Sequence, residues 1–344
     1  MSRLLSSLRP WASIVAIVAI VAISACTAAH HGGASTSLEP ANEPSRGSVH
    51  QDVFVSQALG ATKRLYVYLP PSYGRDASKR YPVAYYLHGL YGSEMDWLAK
   101  GNIDAAADSL IAHGMPETII VLPDGDDGWY TTWTAPVGYN TCADTLHVEA
   151  PSRYCVANAR YDDYIARDVV KHIDDHYRTK RNRESRGIGG LSMGGYGAVA
   201  LALHYPDVFG LAASHSGVVS PMYVGPHPFA APAQYGQTAE ELKEANESLW
   251  PRYAMYWATD LARWRVVDPT HMAESAKQRG QLMPMIFFDC GTEDGLVDEN
   301  RAFHAELTRL GIQHQYAEWP GAHTWRYWST HVPESLAWMG RNWR

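Results

Sequence analysis

Apolar and polar positions alternate along Val53-Phe54-Val55 and again along Leu65-Tyr66-Val67-Tyr68-Leu69, with Gly60 between them. Side chains on a strand point alternately to opposite faces, so the two stretches predict an antiparallel pair, ended by Pro70-Pro71. Val83-Ala84-Tyr85-Tyr86-Leu87 and Ile119-Ile120-Val121-Leu122 are instead unbroken apolar runs. That is the pattern of parallel strands covered on both faces. Residues 104–113 between them predict a helix, and residues 161–177 a second, with Ile165, Val169, Val170 and Ile173 at helical spacing. A short apolar approach at 187–189 leads to a glycine-rich turn and a helix-prone run over 196–204. Strands over 211–214, 286–289 and 315–319, with a helix over 299–310 and a closing helix over 332–343, complete the pattern.

Strands that alternate with helices after an antiparallel start predict an α/β fold with one doubly wound, mostly parallel sheet. Two segments break the alternation. Residues 126–158 are long, aromatic and polar, and residues 220–281 contain Trp250, Tyr253, Tyr256, Trp257 and Trp264. Both read as insertions over the carboxyl edge of the strands, the second as a lid, where open α/β sheets bind ligands.

The first residues follow a different rule. Arg3 and Arg9 give a positive start ahead of an apolar run over 11–23, shorter than the roughly 20 residues needed to span a bilayer. The run ends in Ile23-Ser24-Ala25-Cys26, which resembles a bacterial lipobox. The expectation is a lipoprotein signal peptide over 1–25, acylation of Cys26, a flexible tether over 26–47 and a folded domain over 48–344. The chain would then be exported and held at a membrane by its lipid. Cys142 and Cys155 bracket a short polar segment and, in an exported protein, are expected to form a disulfide. Cys290 ends an apolar run and reads as a buried thiol. A formal net charge of −7 without a basic cluster excludes a phosphate-neutralising nucleic-acid surface.

The chemistry gathers on Gly190-Leu191-Ser192-Met193-Gly194-Gly195. A serine flanked by glycines between strand and helix has the layout of a nucleophile elbow, with its hydroxyl exposed at a helix N-terminus. G-x-S-x-G also arises by chance in plain turns, so its weight rests on what accompanies it. A serine hydroxyl needs a base, and the base needs a carboxylate to orient it. In this topology the acid and then the histidine follow in loops after later strands. Cys290-Gly291-Thr292-Glu293-Asp294-Gly295 offers Asp294, with Glu293 and Asp289 as rivals; Pro320-Gly321-Ala322-His323 offers His323. Backbone N–H groups of Met193 and Leu90 are the expected oxyanion donors, the latter from the turn His88-Gly89-Leu90-Tyr91-Gly92. His88, Gly89 and Asp124 are expected to frame the substrate pocket. Trp129, Tyr130, Trp133 and Trp325, with Tyr327 and Trp328, are expected to supply aromatic surface for a sugar ring or phenolic acyl group.

Six motifs in order carry a family resemblance: Tyr86-Leu87-His88-Gly89, Leu122-Pro123-Asp124-Gly125, Tyr161-Asp162-Asp163-Tyr164-Ile165, the serine turn, Asp289-Cys290-Gly291-Thr292-Glu293-Asp294, and Pro320-Gly321-Ala322-His323-Thr324-Trp325. Together they resemble the Putative esterase family of α/β-hydrolases. That family includes esterase D (S-formylglutathione hydrolase), tributyrin and feruloyl esterases, and the mycolyltransferases of the antigen 85 type. The resemblance implies an α/β-hydrolase fold, the triad Ser192, Asp294 and His323, and no metal or organic cofactor. It implies a serine carboxylesterase acting on an acylated sugar, polysaccharide or phenolic ester. Alternatives are acyl transfer to a sugar hydroxyl, a formylglutathione-type thioesterase, or a non-catalytic binding lipoprotein. The segments around Cys142–Cys155 and over 220–281 depart from the family pattern, so the substrates of individual members do not carry over.

Overall fold

The computed structural model describes residues 46–134, 156 and 159–344. The expected leader, Cys26, most of the tether, and the Cys142–Cys155 pair lie outside the described residues.

Eight strands form one sheet: β1 (Ser48–Ser56), β2 (Ala61–Leu69), β3 (Val83–Leu87), β4 (Ile119–Pro123), β5 (Arg186–Leu191), β6 (Leu211–His215), β7 (Met285–Gly291) and β8 (His314–Trp319). Their spatial order is β1-β2-β4-β3-β5-β6-β7-β8. β1 and β2 pair antiparallel, and β2 joins β4 antiparallel. All remaining neighbours are parallel. Alternate residues of the unbroken apolar strands feed different cores. Val83, Tyr85 and Leu87 join one cluster, whereas Ala84 and Tyr86 join another on the opposite face. Every residue of β3 is buried, which is why neither strand showed a polar face in the sequence.

Helices cover both faces. α1 (Asp96–Ala99) and α2 (Ile103–Ala112) precede β4. α3 (Tyr161–Asp163) continues through a π-helical turn, Tyr164–Val169, into α4 (Val170–His176), and α5 (Met193–His204) follows β5. The 220–281 segment builds a cap of four short helices: α6 (Ala239–Ala245), α7 (Trp250–Trp257), α8 (Leu261–Val267) and α9 (Pro269–Gln278). Side-chain caps start three of them: Thr238 accepts from the Glu241 N–H, Asp260 from Ala262 and Asp268 from His271. α10 (Val297–Arg309) links β7 to β8. The closing helix α11 (Trp325–Asn342) starts seven residues before the expected 332, because it runs through Pro333. A proline in an amphipathic pattern reads as a helix start, and here packing of Tyr327, Trp328 and Val332 keeps the earlier turns helical.

Strand register sets the working edge. Leu191 of β5 pairs with His215 of β6, which pairs with Asp289 of β7, and Gly291 of β7 pairs with Trp319 of β8. The loops after β5, β7 and β8 therefore leave the sheet side by side. The turn after β5 is closed by direct backbone approach. A Cβ on Gly194 would lie 2.3 Å from the Leu87 carbonyl oxygen, and one on Gly190 would lie 2.4 Å from the Gly194 carbonyl oxygen. Both distances are shorter than any real Cβ contact, so no side chain fits. Gly194→Ala is expected to cost about 1–3 kcal/mol of stability through overpacking. A chemical-denaturation midpoint equal to wild type would contradict this.

Candidate active site

Ser192 sits between β5 and α5 with φ 54° and ψ −120°, a strained backbone for a residue with a side chain. The strain is held from several sides. The Ser192 N–H donates to the His215 carbonyl at 3.0 Å, and the Ser192 carbonyl accepts from Tyr196 N–H at 3.0 Å. His323, in the loop between β8 and α11, brings Nε2 to 2.9 Å from Ser192 Oγ. Its Nδ1 lies 2.9 Å from Asp294 Oδ2 and 3.1 Å from Oδ1. Asp294 is buried, and its Oδ1 also accepts the Leu296 N–H at 2.9 Å. A carboxylate on Nδ1 keeps the proton on that nitrogen, which leaves Nε2 as the acceptor facing the hydroxyl. The ring of Trp328 stands edge-on to His323, with centroids 4.8 Å apart at 90°. The structure thus joins Ser192, His323 and Asp294 in one hydrogen-bonded line. Of the rival acids, Glu293 is exposed and Asp289 is engaged below the sheet edge by Tyr327 and His215.

The loop after β3 lies against this line. A Cβ on Gly89 would come within 3.5 Å of Ser192 Cβ. The Gly89 carbonyl accepts from the Gly92 N–H at 3.0 Å and lies 2.8 Å from His88 Nδ1. His88 Nε2 accepts the Gly125 N–H at 2.9 Å, so its Nδ1 carries the proton and donates to Gly89. With the Gly89 carbonyl held on that side, the planar trans peptide turns the Leu90 N–H the opposite way. Met193 is the first residue of α5, so its N–H is among those a helix leaves without an intrahelical partner.

A cleft of about 590 Å³ opens over Ser192. Its walls include Leu90, Val218, Leu249, Leu296, Trp325 and Trp328, most of them apolar, with Gly89, Tyr91, Asp96 and Trp129 among the other lining residues. Five of the residues expected to frame the pocket or contact substrate do not reach it. His88 is buried and braces the Gly89 peptide. Tyr130 donates its hydroxyl to the His88 carbonyl at 3.0 Å, with its ring filling the space against Gly125 and Gly197. Trp133 packs on Tyr161 and Tyr256, with centroids at 5.7 and 4.7 Å. Asp124 points away to Lys63. These side chains lie beneath the loops that shape the cleft, where a large ring fills core volume. Tyr327 is likewise buried on Asp289. The cap aromatics pack chiefly on one another: Tyr253 stacks on Trp257 at 4.4 Å, and Trp129 meets both at 4.8 and 5.5 Å.

Sequence reasoning passed over Tyr91, Asp96, Leu249 and Leu296, which come from separate loops and carry no local motif. It also passed over Lys63, whose signal was visible: a lysine at the inward phase of β2, in step with Leu65 and Val67. Lys63 Nζ is buried between Asp124 Oδ2 at 2.7 Å and Asp126 Oδ1 at 2.6 Å. Tyr161 donates its hydroxyl to Asp126 Oδ2 at 2.6 Å. Burial opposes the charge on Lys63, but the two carboxylates override it and raise its pKa. Burial also works against Asp124, yet the lysine charge holds it well below the usual carboxylate range. The second carboxylate bears the conflict. Burial and the Asp124 charge outweigh the pull of Lys63 and push Asp126 up to about 6. Among the described residues, no group of three or more His, Cys, Asp or Glu side chains is arranged to hold a metal ion.

A carboxyl whose folded pKa is raised takes up a proton on folding, so its contribution falls as pH climbs from 3.8 to about 6. Asp126→Asn keeps an oxygen for Lys63 or Tyr161 but cannot ionise. Its melting temperature relative to wild type is expected to rise between pH 4.5 and pH 8. A difference that stays flat or falls over that range would contradict the raised pKa.

With this geometry established, known proteins supply the context. The family model described as “Putative esterase” matches residues 56–339. An acetyl esterase of Caldicellulosiruptor saccharolyticus is 26% identical over 268 residues, covering 77% of this chain and 85% of that protein. An esterase of Mycobacterium tuberculosis is 26% identical over 283 residues, covering 79% of this chain and 55% of the longer relative. The solved structure of a ferulic acid esterase superposes with a TM-score of 0.64 at 23% identity, covering 87% of this chain and 99% of that one. The motifs, the sheet order and the extent of the family match agree: the chain belongs to the Putative esterase family and is a carboxylic ester hydrolase of the α/β-hydrolase fold.

Proposed function

We propose that the chain is a serine carboxylesterase that works through an acyl-enzyme on Ser192, with His323 as base, Asp294 as its orienting acid, and the Leu90 and Met193 N–H groups as oxyanion donors. The observation that carries this is the 2.9 Å approach of His323 Nε2 to Ser192 Oγ, backed by the buried Asp294 carboxylate. As Oγ attacks the ester carbonyl, its proton passes to Nε2. The imidazolium formed is stabilised by Asp294 on its other nitrogen. Negative charge gathers on the former carbonyl oxygen, where two preoriented N–H donors lower the barrier. His323 then protonates the leaving alcohol, and water repeats the sequence to release the acid.

The substrate is an ester whose acyl or alcohol part has an apolar body, such as an acylated sugar, a polysaccharide ester or a phenolic ester. The cleft supports this reading, since Leu249, Leu296, Trp325 and Trp328 provide contact area but few fixed polar groups. Relatives named for acetyl and ferulic acid esters suit the same class. We further propose that the leader over 1–25 exports the protein and that Cys26 carries lipid. An exported enzyme meets envelope or extracellular esters rather than cytosolic ones, and the proposed Cys142–Cys155 bridge fits an oxidising compartment.

Ser192→Ala is expected to lower turnover of p-nitrophenyl butyrate by at least about a thousandfold while the circular-dichroism spectrum is retained. The same variant should no longer be labelled by a fluorophosphonate probe. Turnover near wild type would end the proposal. For the anchor, Cys26→Ala is expected to abolish incorporation of radiolabelled palmitate and release the protein from the membrane fraction; unchanged labelling would refute lipidation at that residue.

A further inference from the structure

Below the cleft floor, the two loops that carry Ser192 and His323 converge on one buried carboxylate. Asp289 of β7 is fully buried, as are His215 of β6 and Ser335 of α11. Three groups engage Asp289. The Tyr327 hydroxyl donates to Oδ1 at 2.9 Å, and the Ser216 N–H donates to the backbone carbonyl at 2.7 Å. His215 Nδ1 lies 2.6 Å from Oδ2, a close polar contact without hydrogen-bond alignment.

Each arm leads to a reacting group. His215 accepts the Ser192 N–H on its own carbonyl at 3.0 Å, so it is bonded directly to the strained elbow. Its Nε2 lies 2.8 Å from Ser335 Oγ, which ties β6 to the middle of α11. Tyr327 stands in the first turn of α11, four residues past His323, with its N–H on the Thr324 carbonyl at 3.0 Å. Its ring also fills the space beside Gly321, where an added Cβ would lie 2.7 Å away. The His323 loop thus has a side-chain bond to Asp289, and Asp289 lies against the ring of His215, whose backbone carbonyl holds the elbow.

A buried carboxylate is expensive to desolvate, and an apolar residue of similar volume often stabilises a core as well or better. What a carboxylate adds is direction: one oxygen holds the Tyr327 hydroxyl, and the other faces the His215 ring from a different chain segment. We infer that Asp289, with His215 and Tyr327 as its two arms, is a positioning residue that sets the distance and angle between Ser192 Oγ and His323 Nε2. The inference rests on the reading of those two groups as nucleophile and base. Asp289 touches neither substrate nor reacting atoms.

Tyr327→Phe removes one hydroxyl and keeps the ring that packs on Gly321. With p-nitrophenyl butyrate, kcat is expected to fall about 10- to 100-fold, the scale of a small misplacement of reacting groups. KM should stay within about twofold, because no cleft residue changes. Labelling of Ser192 by a fluorophosphonate should slow in parallel with kcat. Tyr86→Phe is the control. It deletes a buried hydroxyl 2.7 Å from Ser335 Oγ, in the same polar cluster, with no bond to either loop. It is expected to lower the melting temperature by a similar amount while kcat is retained. Asp289→Asn, similar in shape but poorer in acceptors, should behave as Tyr327→Phe does. Wild-type kcat in whichever of these two variants folds overturns the inference. So does an equal loss of kcat in Tyr86→Phe, which would reduce the cluster to a stability element. Ser192→Ala measured alongside separates the two readings: if it still turns over substrate, the nucleophile assignment fails; if it is inactive while Tyr327→Phe works normally, only the positioning role fails.

Discussion

The site depends on one steric constraint, the contact of backbone with backbone where β5 turns into α5. Gly190 and Gly194 let the turn close on itself and on the Leu87 carbonyl, with no room for a Cβ at either position. The close approach holds Ser192 at φ 54°, a conformation a serine adopts at a cost of order 1–3 kcal/mol. Surrounding bonds meet that cost, including Ser192 N–H to the His215 carbonyl and Tyr196 N–H to the Ser192 carbonyl. The consequence is a hydroxyl placed at a helix N-terminus, at the level where β6, β7 and β8 also end.

Polar groups buried beneath the cleft serve loops rather than substrate. His88 holds the Gly89 carbonyl and so orients the next peptide, while Tyr130 caps the His88 carbonyl. Behind them, Lys63 carries two aspartates where one would balance its charge, and the surplus appears as the raised pKa of Asp126. On the far side, Asp289 holds Tyr327 and lies against His215. The Lys63 cluster is a set of paired charges in a low-dielectric interior, where removing one partner costs more than the pair contributes. Such groups resist local rearrangement of the loops they hold.

The cap follows a different logic. Its helices carry a dense set of tryptophans and tyrosines, but the rings spend most of their surface on one another. The cap reaches the cleft through Ser248 and Leu249, and the aromatic layer beneath it through Trp129. The insert extends the core cluster of the sheet and α5, with Trp257 packed on Tyr196, and aromatic side chains bury the most apolar area per residue. Aromatic content in that segment therefore reports on stability first and on substrate second.

What the chain determined locally is the set of elements and the chemistry of single positions. Strand runs covered on both faces, the glycine spacing around Ser192, and the ordered acid and histidine loops were all legible, because each follows from backbone geometry within a few residues. The choice among Glu293, Asp294 and Asp289 was not local. It was decided by the register of β7 against β6 and β8, which buries Asp294 beneath His323, turns Asp289 toward Tyr327 and leaves Glu293 exposed. The same holds for His88, Asp124, Tyr130 and Trp133. Their position near a strand end was readable, but whether each side chain faces the cleft or the core depends on what packs behind the loop. The start of α11 escaped the pattern because Pro333 mimics a helix beginning, and only tertiary burial of Tyr327, Trp328 and Val332 keeps the preceding turns helical. Periodicity is a property of neighbours along the chain, whereas the direction of a loop side chain is set by residues tens to more than a hundred positions away.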